Sequence, residues 1–386
     1  MTQAVAFQTR ARTIDHLGRE QIADVPTAVS ELWKNAYDAY ARQVALHIYG
    51  GSNPVAAIVD DGFGMNREQF VDNWLVIGTE SKVGPRSVPA ELRDYLPERP
   101  KQGQKGIGRL SVAALGSTVL VVSKQKNARF VACLVDWRLF ENPFLFLHDV
   151  HLPVVEFGVP AELPALLPDM WRELATNISG VGSDKDRSTR LIDAWRACDE
   201  MERAQAPDTR TISQDILRAA EAAIPNVDHL RDWPVWLGLR PTGTALVMAD
   251  LNSFLTAWIA EGEAADGEQV GSVKDSLVRT LTGFSDPYGG SLDDVMDYQV
   301  VVYGRDADRV VVARDEGYGL EFLRSLDHCL DGKFDEHGIF RGHVRAFGRD
   351  FGLIELVPAR PPPMGAKDRI GPFSIAIGAF EPVAMT

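Results

Sequence analysis

Glu31, Asn35 and Asp38 recur at i, i+4 and i+7 in Glu31-Leu32-Trp33-Lys34-Asn35-Ala36-Tyr37-Asp38-Ala39. On a helix this spacing turns three oxygen-bearing side chains to one face. Such a face can hold a hard divalent cation such as magnesium, with the Asn35 amide oxygen as the single protein ligand. Glu31, one turn earlier, is then placed to orient and deprotonate a water. Two glycine-punctuated segments follow, Asp60-Asp61-Gly62-Phe63-Gly64-Met65 and Gly103-Gln104-Lys105-Gly106-Ile107-Gly108-Arg109. A carboxylate at the end of a strand can accept a hydrogen bond from an exocyclic amine, and glycines let the backbone turn against a flat ring. Asp60, Gly62 and Gly64 therefore suit adenine. Gly103, Gly106 and Gly108 precede a helix, where unpaired N–H groups and the positive dipole end favour phosphate oxygens. From Lys82 to Arg109 there are seven cations (Lys82, Arg86, Arg93, Arg99, Lys101, Lys105, Arg109) against three anions (Glu91, Asp94, Glu98), a local sign reversal that suits a polyanion. Together these residues outline a pocket for a nucleotide and magnesium.

The elements that must position them can be read from periodicity. A short helix or arm is expected at 14–24. Asp24 before Val25-Pro26 predicts an N-cap and a helix over about 26–42, with Val29, Trp33, Ala36, Tyr37 and Tyr40 as its apolar stripe. Residues 43–49 and 55–60 alternate like strands joined by a Gly50-Gly51 turn, and the second delivers Asp60 into the glycine turn. Asn66 caps a helix through Trp74 to Gly78. The polar, proline-interrupted stretch 79–102 reads as a mobile loop or lid. A helix over Arg109–Leu115 precedes strands at 118–123, 130–135 and 144–150. Residues 168–224 read as an inserted helical hairpin, and Gly243-Thr244 opens a strand over 245–251. Beyond 270 the pattern becomes that of a second α+β domain: a helix at 273–282, strands at 298–303, 309–313, 338–347, 352–357 and 373–379, and a helix at 319–330. The final strand lies almost at the C-terminus, so this domain is expected to be incomplete.

Composition bounds the alternatives. A chain of 386 residues, 45% hydrophobic and 24% charged, is long enough for two or three domains and typical of soluble globular proteins. No apolar run reaches membrane length and no signal-peptide pattern opens the chain, so a cytoplasmic location is expected. Cys133, Cys198 and Cys329, widely spaced, are read as buried thiols rather than a disulfide framework or zinc site. Trp33 and Trp74 are read as core. The net charge of -14 disfavours indiscriminate nucleic-acid binding, leaving open only a local basic patch. No G-x-x-x-x-G-K-[ST], G-x-S-x-G or H-E-x-x-H occurs. Singly, each glycine motif is weak: Asp60-Asp61-Gly62 alone is a hairpin turn, a lone G-x-x-G-x-G a helix entry, and an isolated Glu31 a solvated helix residue. Their joint order carries the reading.

In that order the three segments resemble the N, G1 and G2 boxes of the GHKL superfamily, named for gyrase, the ninety-kilodalton heat-shock chaperones, histidine kinases and MutL. Gly243-Thr244 is similar to the last motif of that family, whose threonine joins Asp60 around adenine. Ile77-Gly78-Thr79-Glu80-Ser81-Lys82 is similar to the segment leading into the lid in MutL and microrchidia-type members. The resemblance covers residues 14–252, and 270–386 match the start of a transducer domain more loosely. It implies an α+β chain: a Bergerat-type two-layer α/β sandwich with a mixed, mainly antiparallel sheet over 1–265, carrying the insertion at 168–224. A partial transducer-like, ribosomal S5-like α+β domain over 266–386 would follow. It implies ATP and Mg2+ as cofactors, Glu31 as general base and Asn35 as magnesium ligand. Asp38, Asp60, Gly62, Gly64, Met65, Ser81, Lys82, Gly103, Gln104, Lys105, Gly106, Ile107, Gly108 and Thr244 would complete the nucleotide pocket. The kinase branch is disfavoured, because His16 is the only early histidine and the residues before it leave no room for a phosphoacceptor bundle. In hydrolysing members a transducer lysine reaches the terminal phosphate, for which Lys333 and Lys367 are the candidates here. The expected activity is slow ATP hydrolysis driving lid closure and homodimerisation, coupled to a protein partner or downstream module. The alternative is a nucleotide-gated clamp with negligible turnover.

Overall fold

Asp24 accepts a hydrogen bond from Thr27 N at 2.8 Å and starts a helix in whose first turn Pro26 loses no bond. In the computed structural model of the chain this is α2 (Val25–Asp38), after a shorter α1 (Arg12–Leu17). The structure describes residues 6–19, 22, 24–77, 88–99, 101–102, 108–260, 296–303, 308–313, 320–359 and 372–379. These fall into two units, one of 1–280 with 296–313, the other of 281–295 with 314–386.

The first unit is built on an eight-stranded sheet of order β5-β4-β3-β6-β2-β1-β7-β8. Its strands are β1 (Gln43–Tyr49), β2 (Val55–Asp60), β3 (Gly116–Lys124), β4 (Phe130–Asp136), β5 (Val154–Phe157), β6 (Gly243–Leu251), β7 (Asp297–Tyr303) and β8 (Asp308–Ala313). Every neighbouring pair is antiparallel except β1–β7, which makes the sheet mixed and mainly antiparallel. β4 is buried at all seven positions and β3 nearly so, as expected of strands covered on both faces. On α2 the residues Val29, Leu32, Trp33 and Ala36 are buried, and Trp33 meets Tyr298 of β7 at 5.1 Å. The sequence reading grouped 298–303 and 309–313 with the second domain. Their hydrogen bonds instead make them the edge of the first sheet, because β7 pairs along the whole of β1.

Several elements differ from expectation for local reasons. The helix expected from Asn66 to Gly78 is a three-residue turn, α3 (Arg67–Gln69), opened by an Asn66–Gln69 capping box and continued by a π-helical turn over Phe70–Trp74. Phe70 and Trp74 stack there at 5.1 Å. Gly108–Ala114 is a 3-10 helix rather than an α-helix, and the Ser111 hydroxyl bonds the Gly108 carbonyl three residues back, competing with the α-helical ladder. The strand expected at 144–150 is absent. Leu145 and Leu147 answer main-chain groups of Ala11 and Thr9 instead, a 3-10 turn spans Leu147–Asp149, and β5 follows.

The insertion is a set of three helices rather than a hairpin: α4 (Leu163–Ser179), α5 (Lys185–Gln205) and α6 (Ile212–Ala222). Asp184 caps α5, and Arg187 and Arg190 of α5 grip buried Asp149 through its carbonyl and carboxylate at 2.9 and 2.7 Å. β6 leads on to α7 (Ser253–Ala260). The second unit holds α8 (Leu320–Ser325) and a four-stranded antiparallel sheet of order β11-β10-β9-β12, from β9 (His328–Phe334), β10 (Phe340–Ala346), β11 (Arg349–Leu356) and β12 (Phe373–Ala379). The helix expected over 319–330 gives way to β9 after six residues. The Phe340 ring lies over Gly332 and Gly342, where a β-carbon would come within 2.6 Å of it. The helix expected at 273–282 lies outside the described residues.

Candidate functional site

Antiparallel register brings three strand ends to one edge. The β2–β6 ladder ends at Val59↔Ala245, so Asp60 emerges beside Thr244, while the β3–β6 ladder pairs Ser123 with Thr244 and Lys124 with Gly243. Asp60 Oδ1 accepts from Gly62 N at 2.9 Å and from Thr244 N at 3.2 Å. Burial pushes the Asp60 carboxyl up to about 7, with the neighbouring Asp61 charge adding and the two N–H donors opposing. Its main-chain carbonyl accepts from the indole of Trp233 at 2.8 Å. Ser123, fully buried, accepts from Met65 N at 2.9 Å and lies 2.9 Å from the Thr244 hydroxyl.

Glycine is required here by close backbone approach. A β-carbon on Gly64, whose φ is +61°, would sit 2.0 Å from the Lys124 carbonyl oxygen, and one on Gly243 would sit 2.2 Å from that of Asp60. The first of these glycines is thus demanded by the end of β3 as well as by whatever lies in the pocket.

The second half of the site is the polar face of α2, where Glu31, Lys34, Asn35 and Asp38 are partly exposed. Glu31 Oε1 accepts from Lys34 Nζ at 2.7 Å. A β-carbon on Gly108 would lie 3.3 Å from Glu31 Oε2 and 3.7 Å from both polar atoms of the Asn35 amide, so the 3-10 helix entrance abuts the carboxylate and the amide. Phe63 N donates to the Ala39 carbonyl at 2.9 Å, tying the turn after Asp60 to the C-terminal end of the same helix.

That end is closed in an unusual way. Tyr40 adopts a left-handed φ of 59°, and Ala41 N and Tyr40 N return to the Ala36 and Tyr37 carbonyls, a Schellman arrangement normally given to glycine. Arg99 offsets the strain. Its guanidinium donates to the Tyr37 and Ala41 carbonyls at 3.3 and 2.8 Å and lies over the Tyr37 ring at 4.8 Å. Asp38 Oδ1 accepts from Gln102 N at 2.9 Å, so the C-terminal side of the expected lid is moored to α2.

Of the residues expected from sequence, Glu31, Asn35 and Gly108 lie together, as do Asp60, Gly62, Gly64, Met65 and Thr244, and Asp38 holds Gln102. Ser81, Lys82, Gly103, Gln104, Lys105, Gly106, Ile107 and Lys367 lie outside the described residues, and Lys333 is on β9 of the second unit. Sequence reasoning missed Ser123, Trp233, Lys34 and the structural use of Arg99. A serine ending the run Val119-Leu120-Val121-Val122 was the one available signal for Ser123, whereas Trp233 lies 173 positions from its partner.

A mixed, mainly antiparallel sheet with a helix presenting carboxylate and amide, and a buried aspartate at converging strand ends, is the arrangement of a Bergerat-type α/β sandwich. Residues 23–142 match the family described as histidine kinase-, DNA gyrase B-, and HSP90-like ATPase. The likeness covers that stretch, under a third of the chain. No curated protein matches the chain. Among solved structures, one described as the crystal structure of the N terminal domain of a DNA repair protein aligns at 12% identity and a TM-score of 0.38, covering 86% of this chain and 70% of that one. No helix among the described residues is long and apolar enough to cross a membrane.

Proposed function

We propose that the chain is a cytoplasmic, magnesium-dependent ATPase whose slow hydrolysis drives lid closure over 79–102 and homodimerisation, coupled to a protein partner or downstream domain. The observation that carries this reading is the juxtaposition of Glu31 and Asn35 with the Gly108 helix entrance, on the same helix whose end packs against the turn after Asp60. Asp60 and Thr244 take the base, and the helix entrance takes the phosphates. The donor set fits magnesium, since the Asn35 amide offers a neutral oxygen beside a carboxylate and leaves the remaining positions to phosphate and water. When bound, magnesium neutralises phosphate charge during phosphoryl departure. Asn35 would hold the ion through its amide oxygen, and Glu31 would accept the proton of the attacking water. The second unit, 281–295 with 314–386, would serve as a transducer that passes the change on.

The test is phosphate release by the native protein and by Glu31→Ala, with ATP affinity measured on both. Loss of release with affinity retained supports the catalytic role, and equal rates refute it. The Lys34–Glu31 ion pair favours a second reading, a nucleotide-gated clamp with negligible turnover, because it occupies one oxygen of the base. Light scattering with a non-hydrolysable ATP analogue checks dimerisation under either reading.

A further inference from the structure

Pro164, Pro168, Trp171 and Ala175 recur at i, i+4, i+7 and i+11 along α4 and so share one face of that helix. Across from them stand Leu217 and Ala220 of α6, together with Val227 of the 3-10 turn Val227–Leu230. These residues line a cavity of about 710 Å3, a size within the roughly 300–1,000 Å3 of small-molecule sites. Its floor is apolar, and Trp171 on it is only 4% exposed. The rim has a sign. Glu221 and Asp228 both line the cavity, both are exposed, and neither makes a hydrogen bond or ion pair among the described residues. Arg172, the one cation lining it among the described residues, is already neutralised by Asp169 at 2.7 Å. Helix α6 also ends here. Ala223, at a left-handed φ of 50°, returns its N–H to the Ala219 carbonyl, and the last carbonyls keep the negative end of the helix dipole at the cavity. On α4, Pro168 has no N–H to give the Pro164 carbonyl one turn back. Carboxylates, helix end and carbonyl therefore set a negative potential beside an apolar floor.

We propose that this cavity is a binding site for a hydrophobic organic cation, an aryl- or alkylammonium whose apolar body covers Trp171, Leu217 and Val227 and whose ammonium group meets Glu221 and Asp228. The charge of the rim selects the cation, and the volume suits a small molecule. The cavity shares no residue with the Glu31 and Asp60 site, so the proposal does not depend on ATP binding.

Calorimetry on the whole chain at low ionic strength tests it with three probes of one shape: 4-phenylbutylamine, 4-phenylbutan-1-ol and 4-phenylbutyrate. The amine should bind about fivefold more tightly than the alcohol, the worth of two exposed ion pairs, and the carboxylate should bind most weakly. Added salt should shrink the advantage of the amine. In the Glu221→Gln, Asp228→Asn double variant the amine should fall to within about twofold of the alcohol, whose own affinity stays unchanged. Thermal melting checks that the variant is folded; should it melt early, Glu221→Gln alone replaces it and should reduce the advantage to about twofold. Equal binding of amine and alcohol by the native protein, or an advantage that survives the substitutions, overturns the proposal. So does the absence of binding by all three probes. Tighter binding of acetyl-Leu-Lys-amide than of the amine would assign the cavity to a protein segment and would likewise overturn it.

Discussion

Asp60 should make nucleotide affinity depend on pH in a definite direction. Its carboxyl titrates at about 7 in the free protein because burial disfavours the charge. Oδ1 already accepts from the Gly62 and Thr244 N–H groups, so in the neutral acid the proton sits on Oδ2, and ionisation frees that oxygen to accept from an exocyclic amine. The apparent dissociation constant is then the intrinsic one multiplied by 1 + 10^(pKa − pH), about elevenfold at pH 6, about twofold at pH 7 and about 1.1-fold at pH 8. Affinity should therefore improve about tenfold, about 1.4 kcal/mol, between pH 6 and pH 8. The assay is calorimetric titration with Mg-ADP in buffers of different ionisation enthalpy, which also counts the protons released near pH 6.5. Asp60→Asn is the control, since it shares any titration of the phosphates but has no carboxyl at this position. The native-to-variant affinity ratio should rise with pH. A ratio that stays flat, or proton release identical in the two proteins, would refute the reasoning.

The same raised carboxyl has a stability consequence in the empty protein. A folded-state value of about 7 against 3.8 unfolded means that the penalty is absent at low pH and complete above the folded value. Asp60→Asn should accordingly stabilise the nucleotide-free protein by up to about 4 kcal/mol near pH 8 and by little near pH 4, read as a pH-dependent shift in urea midpoint. Gly64→Ala should lower the melting temperature sharply and abolish nucleotide binding, because its β-carbon meets the Lys124 carbonyl at 2.0 Å in a left-handed backbone; normal binding would contradict the close-approach argument. Arg99→Lys should cost about 1–2 kcal/mol in chemical denaturation, since an ammonium cannot span both carbonyls and the Tyr37 face. Burial pushes the Cys133 and Cys198 thiols up, the latter to about 12, so neither should react with a thiol reagent near pH 8 until the chain is unfolded.

Local chemistry made part of this legible. The Asp24 cap, the β1–β2 hairpin and the delivery of Asp60 into a glycine turn all follow from neighbours a few residues apart, and each was readable. The end of α2 was not, since a tyrosine in a left-handed conformation is selected by Arg99 rather than by its own propensity. The apolar run at 144–150 looked like a strand because alternation cannot distinguish ladder pairing from a segment answering residues 9–11. β7 was grouped with the second domain because parallel pairing with β1 leaves no sequence signal across more than two hundred residues. In the candidate site Glu31 and Asn35, which a local motif singles out, lie beside Gly108, and Asp60 lies beside Thr244, whereas Ser123 and Trp233 meet partners that only the tertiary register supplies.

The indole of Trp233 is wholly buried, and its one proton rests on the carbonyl of Asp60. That proton can swap with deuterium only when the terminus of β2 lifts from it, so the slow disappearance of a single indole signal is a clock for breathing at the proposed base pocket. Ligands that seat against Asp60 should slow the clock, and ligands that stop at the phosphate end should leave it running at its resting pace.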